Sequence, residues 1–299
     1  MHIEVESHYH EYGKSITPSS HRRRRRLRDR CCPVAVVHVD VVLVVSAMLM
    51  HPDVVIMMKR AGLRVVVLLT ESPYDFEQEA RMVALVDGGW TNERASVAGF
   101  QAINPNMGYL PHGWHPMKHR PEMADDAGLP AHDVVFVGTG FAERVSFFNA
   151  IDWTGIDLGL YGSWDHVGLK PQVKACQRGD QVENQAAAAL YRRAKIGLNL
   201  YRTSRGWGRH APKIDRPAES LSPRAYELAA CGVFSLSEYR SEVSEVFGDR
   251  VPTFRTPIEA AALIRAWLPR DQARADFAAG LPACEIGRAS CRERVSSPV

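Results

Sequence analysis

The chain has 299 residues, enough for two domains or one large α/β domain, and enough to bury a full core without a metal or a disulfide. Hydrophobic residues make up 45% and charged residues 24%, a balance that excludes global disorder, a collagen-like repeat and a disulfide-stapled miniprotein. The net charge of +3 has local sources: the run Arg22 to Arg30 carries +6, the first 21 residues −2 and the stretch from Glu285 +1, so the body between Cys31 and Cys284 nets −2. A body of that sign is not expected to bind nucleic acid.

Residues 1–32 are expected to be a disordered or non-native extension, because the arginine run repels itself and no apolar period accompanies it. A nucleic-acid or nuclear-targeting arm is the alternative. From Pro33 the chain alternates β-branched runs with helical patterns, which predicts a parallel sheet with crossover helices. Strands are expected at Val34 to Val45 and Arg64 to Leu69, both as continuous apolar runs buried on two faces. Helices are expected at His51 to Gly62 and Glu77 to Val86. The most apolar run, Val41 to Met50, is ten residues long, well short of the roughly 20 that a membrane-crossing helix needs. No membrane span is expected.

Tyr109 to Pro121 is rich in Pro, His and Gly and reads as an interdomain linker. It divides a first Rossmann-like domain over 33–118, incomplete at its start, from a second over 119–283. In the second, strands are expected at Asp133 to Gly138, Ile156 to Tyr161, Ile196 to Leu200 and Val233 to Leu236. Helices are expected at Phe141 to Ala150, Glu183 to Ala194, Pro223 to Cys231, Pro257 to Trp267 and Asp271 to Ala279. Residues 284–299 read as a non-native tail, since EIGRASCRERV resembles a translated sequencing-library adapter. On that reading the natural sequence is cut short near Ala283. Six cysteines show neither CxxC spacing nor a paired histidine pattern, so no metal or redox site is indicated, and reduced thiols in a cytoplasmic protein are expected.

Two motifs carry chemistry. In VFVGTGFAER a strand, a glycine turn (Gly138, Thr139, Gly140) and a helix start with Arg144 meet at a sheet edge where phosphates bind. An ordinary tight turn is the competing reading, since the third glycine of a dinucleotide fingerprint is replaced by Glu143. In ESLSPRAYELAACG, Ser222 suits a helix N-cap and Pro223 the first helical position. The free N–H groups there and Arg224 form an anion site. Glu227 lies near enough to that mouth to accept hydrogen bonds from a ribose diol, and Glu219 stands eight positions earlier. A capped helix with solvated charges is the alternative. At the end of an earlier strand, Glu71 and Asp75 in TESPYDFE are candidate general bases, with helix capping as the competing role. His112 in LPHG reads as a linker histidine packing near the cleft, with a catalytic role as the alternative, and Arg202 follows a strand and could touch phosphate or simply be solvated.

Glu219 and Glu227, with seven residues between them and AACG following, resemble the donor-site signature of nucleotide-sugar glycosyltransferases of the two-Rossmann GT-B fold. SLSPRAYELAACGVFSLSEY is similar to the spore-maturation-protein-like branch of the group 1 glycosyltransferases, as are DVVFVGTGFAER, LYRRAKIGLNLYR, LTESPYDFEQE and YLPHGWHP. The resemblance covers roughly Asp40 to Ala279. It implies an α/β fold of two Rossmann-like domains, the first truncated, and transfer of a sugar from a nucleoside diphosphate donor to an unknown acceptor. It further implies that Glu227 binds the ribose, that Glu219 faces the donor sugar, and that the Gly138–Gly140 turn and the Pro223 helix flank the diphosphate. No Asp-x-Asp signature is present, so no metal or other cofactor is expected. An NAD-type oxidoreductase, with Asp157 as its ribose acid, and a non-catalytic nucleotide or sugar binder remain the rivals.

Overall fold

The computed structural model describes residues 39–123, 128–164, 168–179, 182–205 and 213–282, all within one compact unit that begins at Val39. The expectations for residues 1–32 and 284–299, and for the start of the first strand at Val34, lie outside the described residues. Two parallel sheets organise the rest.

The first sheet has the order β1-β2-β3-β4, formed by β1 (Val41–Val45), β2 (Arg64–Leu69), β3 (Gly88–Thr91) and β4 (Met107–Tyr109). Every neighbouring pair is parallel, so each connection crosses over, through α1 (Pro52–Arg60), α2 (Phe76–Val83) and α3 (Val97–Gln101). In β2 the side chains of Val65, Val67 and Leu69 are fully buried. The first strand departs from expectation. Val41, Leu43 and Val45, which share a face by the two-residue period of a strand, are 47%, 55% and 58% exposed. Burial on both faces requires helices on both sides, and β1 lies at the sheet edge, pairing only with β2 among the described residues.

The second sheet has the order β10-β9-β8-β5-β6-β7, again parallel throughout. Its strands are β5 (Val134–Val137), β6 (Leu158–Tyr161), β7 (Gln177–Gly179), β8 (Ile196–Asn199), β9 (Ser235–Glu238) and β10 (Thr253–Phe254). The chain runs outward from β5 to β7, returns to place β8 beside β5, and then continues the other way. The switch point between β5 and β8 is where a doubly wound sheet opens its ligand crevice. The helices are α4 (Ala142–Ala150), α5 (Pro171–Lys174), α6 (Asn184–Arg192), α7 (Pro223–Ala230), α8 (Ser241–Phe247), α9 (Pro257–Trp267) and α10 (Asp271–Ala279). Phe136, Phe148 and Trp164 pack edge to face at the centre of this half, with centroids 5.3 to 5.9 Å apart. Such pairs add about 0.5–1.5 kcal/mol beyond their burial.

The strand expected at Val233 to Leu236 begins two residues later, at Ser235. Gly232 adopts φ +66° and Val233 closes the helix end through its N–H to Leu228 O, so the turn consumes the first apolar residues of the run. The stretch expected to link the halves has no helix or strand between Leu110 and Asp133 among the described residues. Part of it lies on the second half, where Arg192 Nη1 donates to Lys118 O and Arg120 O, each at 3.2 Å. No helix among the described residues is long and apolar enough to cross a membrane.

Candidate active site

In parallel α/β sheets the loops after the strands gather at one edge. Here the C-terminal edges of the two sheets face each other across a cleft of 230 Å³. The first half contributes Thr70, Glu71, Ser72, Tyr74, Asn92, Glu93 and His112, and the second contributes Phe141, Arg144, Tyr201, Arg202, Arg240 and the segment Ser220 to Pro223.

Helix α7 opens onto this cleft. Ser222 occupies its N-cap with extended backbone and Pro223 takes the first helical position, but no side chain caps the helix. The Ser222 hydroxyl donates instead to Asn199 Oδ1 at 2.8 Å, and Asn199 Nδ2 donates to Ser237 at 2.9 Å. The N–H groups of the first turn therefore lack a side-chain acceptor, and the helix dipole adds a partial positive charge at the same point. Ser222 was expected to cap; its hydroxyl turns to Asn199 instead, while its carbonyl accepts the Ala225 N–H at 3.0 Å.

The glycine turn behaves otherwise. Gly138 N–H donates to Tyr161 O and Gly140 N–H to Ser163 O, both at 2.9 Å. The two amides expected to flank a diphosphate are thus taken by the strand-to-loop passage after β6. A Cβ on Gly138 would meet the Arg224 guanidinium. Arg224 itself donates to Val137 O at 2.8 Å and Leu200 O at 3.2 Å and covers the Phe136 ring at 4.4 Å. Arg144 is 8% exposed and donates to Thr139 O and Leu200 O at 2.9 and 3.0 Å, leaving its Nε buried without a hydrogen-bond partner. Burial pushes the Arg144 pKa down to about 9. Both arginines, expected to touch the donor, tie the ends of β5 and β8 together.

Arg202 reaches across the cleft. Its Nη1 lies 3.4 Å from Glu71 Oε2, and its guanidinium stacks 4.6 Å over Tyr74 and 4.9 Å over Phe141. Asp75 pairs with Arg205 at 2.6 Å and makes no capping bond to α2. The two candidate bases are therefore both held by arginines of the second half. Glu219 turns from the cleft to Arg94, with Nε to Oε2 at 2.8 Å. Glu227 sits in the second turn of α7 with its side chain 19% exposed, and Oε1 is 4.0 Å from Nε2 of buried His119. Burial raises the Glu227 pKa above its ordinary value, partly offset by Arg224.

Asn92 Nδ2 donates to His112 Nδ1 at 3.2 Å, since an amide nitrogen only donates and Nδ1 is the acceptor. Burial, together with Arg240, lowers its pKa to about 4. Sequence reasoning missed Glu93 and Arg240, which are 1% and 8% exposed and lie 3.6 Å apart. It also missed Arg94, which joins Glu219 to Glu245 and Ser241. None belongs to a motif with fixed spacing.

Asp157 immediately precedes β6, and its carboxylate faces His132 Nδ1 at 2.9 Å. That is the N-terminal end of the strand, whereas a dinucleotide ribose acid belongs at the C-terminal end. The placement removes the residue on which the oxidoreductase rival depended. Among the described residues no group of three or more His, Cys, Asp or Glu could hold a metal ion.

Two parallel α/β halves facing each other across a cleft at their C-terminal strand edges, the second doubly wound, form the two-Rossmann architecture called GT-B. The chain belongs to the glycosyl transferase-like family, whose sequence pattern matches residues 144–297. Among solved structures it is similar to sucrose-phosphate synthase from Thermosynechococcus elongatus, with TM-score 0.55 and 11% identity over 86% of this chain and 74% of that one. It is also similar to TarM, with TM-score 0.56 and 8% identity over 85% of this chain and 54% of that one. A third is a UDP-forming α,α-trehalose-phosphate synthase from Burkholderia vietnamiensis, with TM-score 0.53 and 12% identity over 88% and 75%. No curated protein sequence matches the chain.

Proposed function

We propose that the protein transfers a sugar from a nucleoside diphosphate sugar to an acceptor hydroxyl, without a metal ion. The observation that carries this reading is the uncapped start of α7, which opens onto a cleft shared by both sheets. The diphosphate would rest on the start of α7, with Arg202, which lines the same cleft, as the cation beside it and Glu227 toward the ribose. In the reaction the bond from the anomeric carbon to the diphosphate oxygen breaks and its electron pair leaves on the diphosphate. The acceptor oxygen forms the new bond and loses its proton to a carboxylate of the first half, Glu71 or Asp75, or to the departing phosphate. Helix N–H groups and a guanidinium stabilise the charge that develops on the leaving group, the part a metal plays elsewhere.

A thermal-shift panel of UDP, GDP, ADP, TDP and NAD tests the reading. A ligand at ~100 times its dissociation constant adds roughly 2.7 kcal/mol to apparent stability. A nucleoside diphosphate is expected to raise the melting temperature and NAD is not; a shift with NAD alone would overturn the proposal. Release of free sugar or diphosphate from the matching donor separates an enzyme from a binding protein.

A further inference from the structure

The segment that leads into α7 is held by a residue of the opposite half. Glu93 follows β3 at the edge of the first sheet and is 1% exposed. Its Oε1 accepts from the N–H of Ala95 at 3.0 Å, which fixes its own turn. The same oxygen accepts from Glu219 N–H at 3.0 Å and Ser220 N–H at 3.3 Å, and Oε2 also lies 3.3 Å from Ser220 N. The next amide, Leu221 N–H, donates to Glu242 Oε2 at 2.6 Å. Arg94 N–H donates to Ser220 Oγ at 2.8 Å, and Arg240, facing Glu93, also donates to Ser220 O. Three successive amides before the N-cap of α7 are thus taken by buried carboxylates, and two of the three by Glu93.

A carboxylate accepting several N–H bonds in a dry setting fixes its partners closely, since leaving one of them unpaired costs the full desolvation of that group. The position of residues 219–222 sets where the first turn of α7 points, and Glu93 belongs to the half of the molecule that does not carry α7. We infer that Glu93 is a positioning residue for the donor site: it aligns the Glu219–Ser222 segment from across the cleft, so that diphosphate recognition depends on a first-half carboxylate that does not touch the nucleotide. This rests on the proposed donor site at α7. Binding at the second half is then coupled to the seating of the first.

The test compares the best nucleoside diphosphate with its parent nucleoside on the full chain, for wild type, Glu93→Ala and Glu93→Gln, by calorimetric titration and competition. Glu93→Ala is expected to weaken the diphosphate about tenfold or more while leaving the nucleoside nearly unchanged, because only the phosphates meet the realigned helix start. Glu93→Gln, which keeps one acceptor oxygen for the two amides, is expected to recover most of the loss. Should Glu93→Ala fail to fold, the Gln variant is read alone, with a small selective loss for the diphosphate expected. An unchanged diphosphate-to-nucleoside ratio in the folded variants overturns the inference while leaving the donor site standing. Equal losses for both ligands assign Glu93 a general structural role and overturn it too. A wild type that binds no nucleoside diphosphate overturns the donor site itself and the inference with it.

Discussion

Glu227 and His119 face each other at 4.0 Å, a carboxylate oxygen against an imidazole Nε2 that is buried and has no hydrogen-bond partner among the described residues. His119 Nδ1 accepts from His115 N–H at 3.0 Å, so the proton of the neutral ring sits on Nε2 and points its donor toward Glu227. Burial lowers the His119 pKa to about 4 and raises that of Glu227, so the contact is not a strong ion pair at neutral pH. The sequence alone suggests an exposed carboxylate at this position, but the linker lying over α7 covers it.

Glu227→Gln is expected to lower nucleoside diphosphate affinity by about 10- to 150-fold, the value of one charge-assisted hydrogen bond. Fold stability is expected to hold or rise, since the substitution removes a charge that burial disfavours. A raised carboxyl pKa means that the folded state loses stability as pH rises through it, and that loss should be smaller in the variant. Titration with the best diphosphate and melting at two pH values check both parts. Equal affinities would assign Glu227 to helix packing alone.

Glu79 supplies a sharper pH dependence. It is 4% exposed, accepts from Glu71 N–H at 2.9 Å and from the Ser72 hydroxyl, and has no cationic partner among the described residues. Burial raises its pKa to about 7. The folded state then binds a proton that the unfolded state releases near 4.5, so this contribution to stability is full below about pH 4.5 and fades as pH rises to 7. The difference amounts to about 3 kcal/mol. Glu79→Gln mimics the protonated acid and is expected to flatten this part of the denaturation profile. A profile that keeps its fall between pH 4.5 and 7 would assign the titration elsewhere.

Arg202 and Arg205 both pair with carboxylates of the first half, but only Arg202 lines the cleft. Arg202→Ala is expected to weaken diphosphate binding about tenfold or more. Arg205→Ala removes a half-exposed pair worth about 0–1 kcal/mol and is expected to leave nucleotide affinity within about twofold. Comparable losses in both variants would place the phosphate-binding cation outside the cleft described above.

His112, held neutral by burial and Arg240, is expected to show flat imidazole resonances between about pH 5.5 and 8. Its pKa is depressed, so the unfolded state binds the proton first and stability falls as pH drops from about 6.5 toward 4. A midpoint near 6.5 in the folded protein would show that the ring is solvated and free to act as an acid.

Much of the architecture was legible because its signals are periodic. Pro257 to Trp267 and Asp271 to Ala279 are helices with the expected bounds, and the strands β2 and β5 follow from runs rich in valine. Strands such as Gly88–Thr91 and Gln177–Gly179 were not legible: they are short and carry glycine and polar residues in place of an aliphatic run, and their pairing comes from the sheet around them. The site divides in the same way. Glu227 and the start of α7 stand in a motif with fixed spacing. Glu93 acts through partners more than 120 positions away, and nothing in the short run TNER announces them. The arginines were visible as residues, but whether a guanidinium meets a ligand or a main-chain carbonyl depends on where two strand ends lie in space.

The aliphatic face of β1 bears on how the protein will behave in the laboratory. Val41, Leu43 and Val45 stand in a row on a strand that pairs only with β2 among the described residues. An exposed aliphatic strand at a sheet edge invites a second copy to add its own strand. Self-association that grows with protein concentration and temperature is therefore expected at this edge, and a single lysine at Leu43 should suppress it while the cleft keeps its shape.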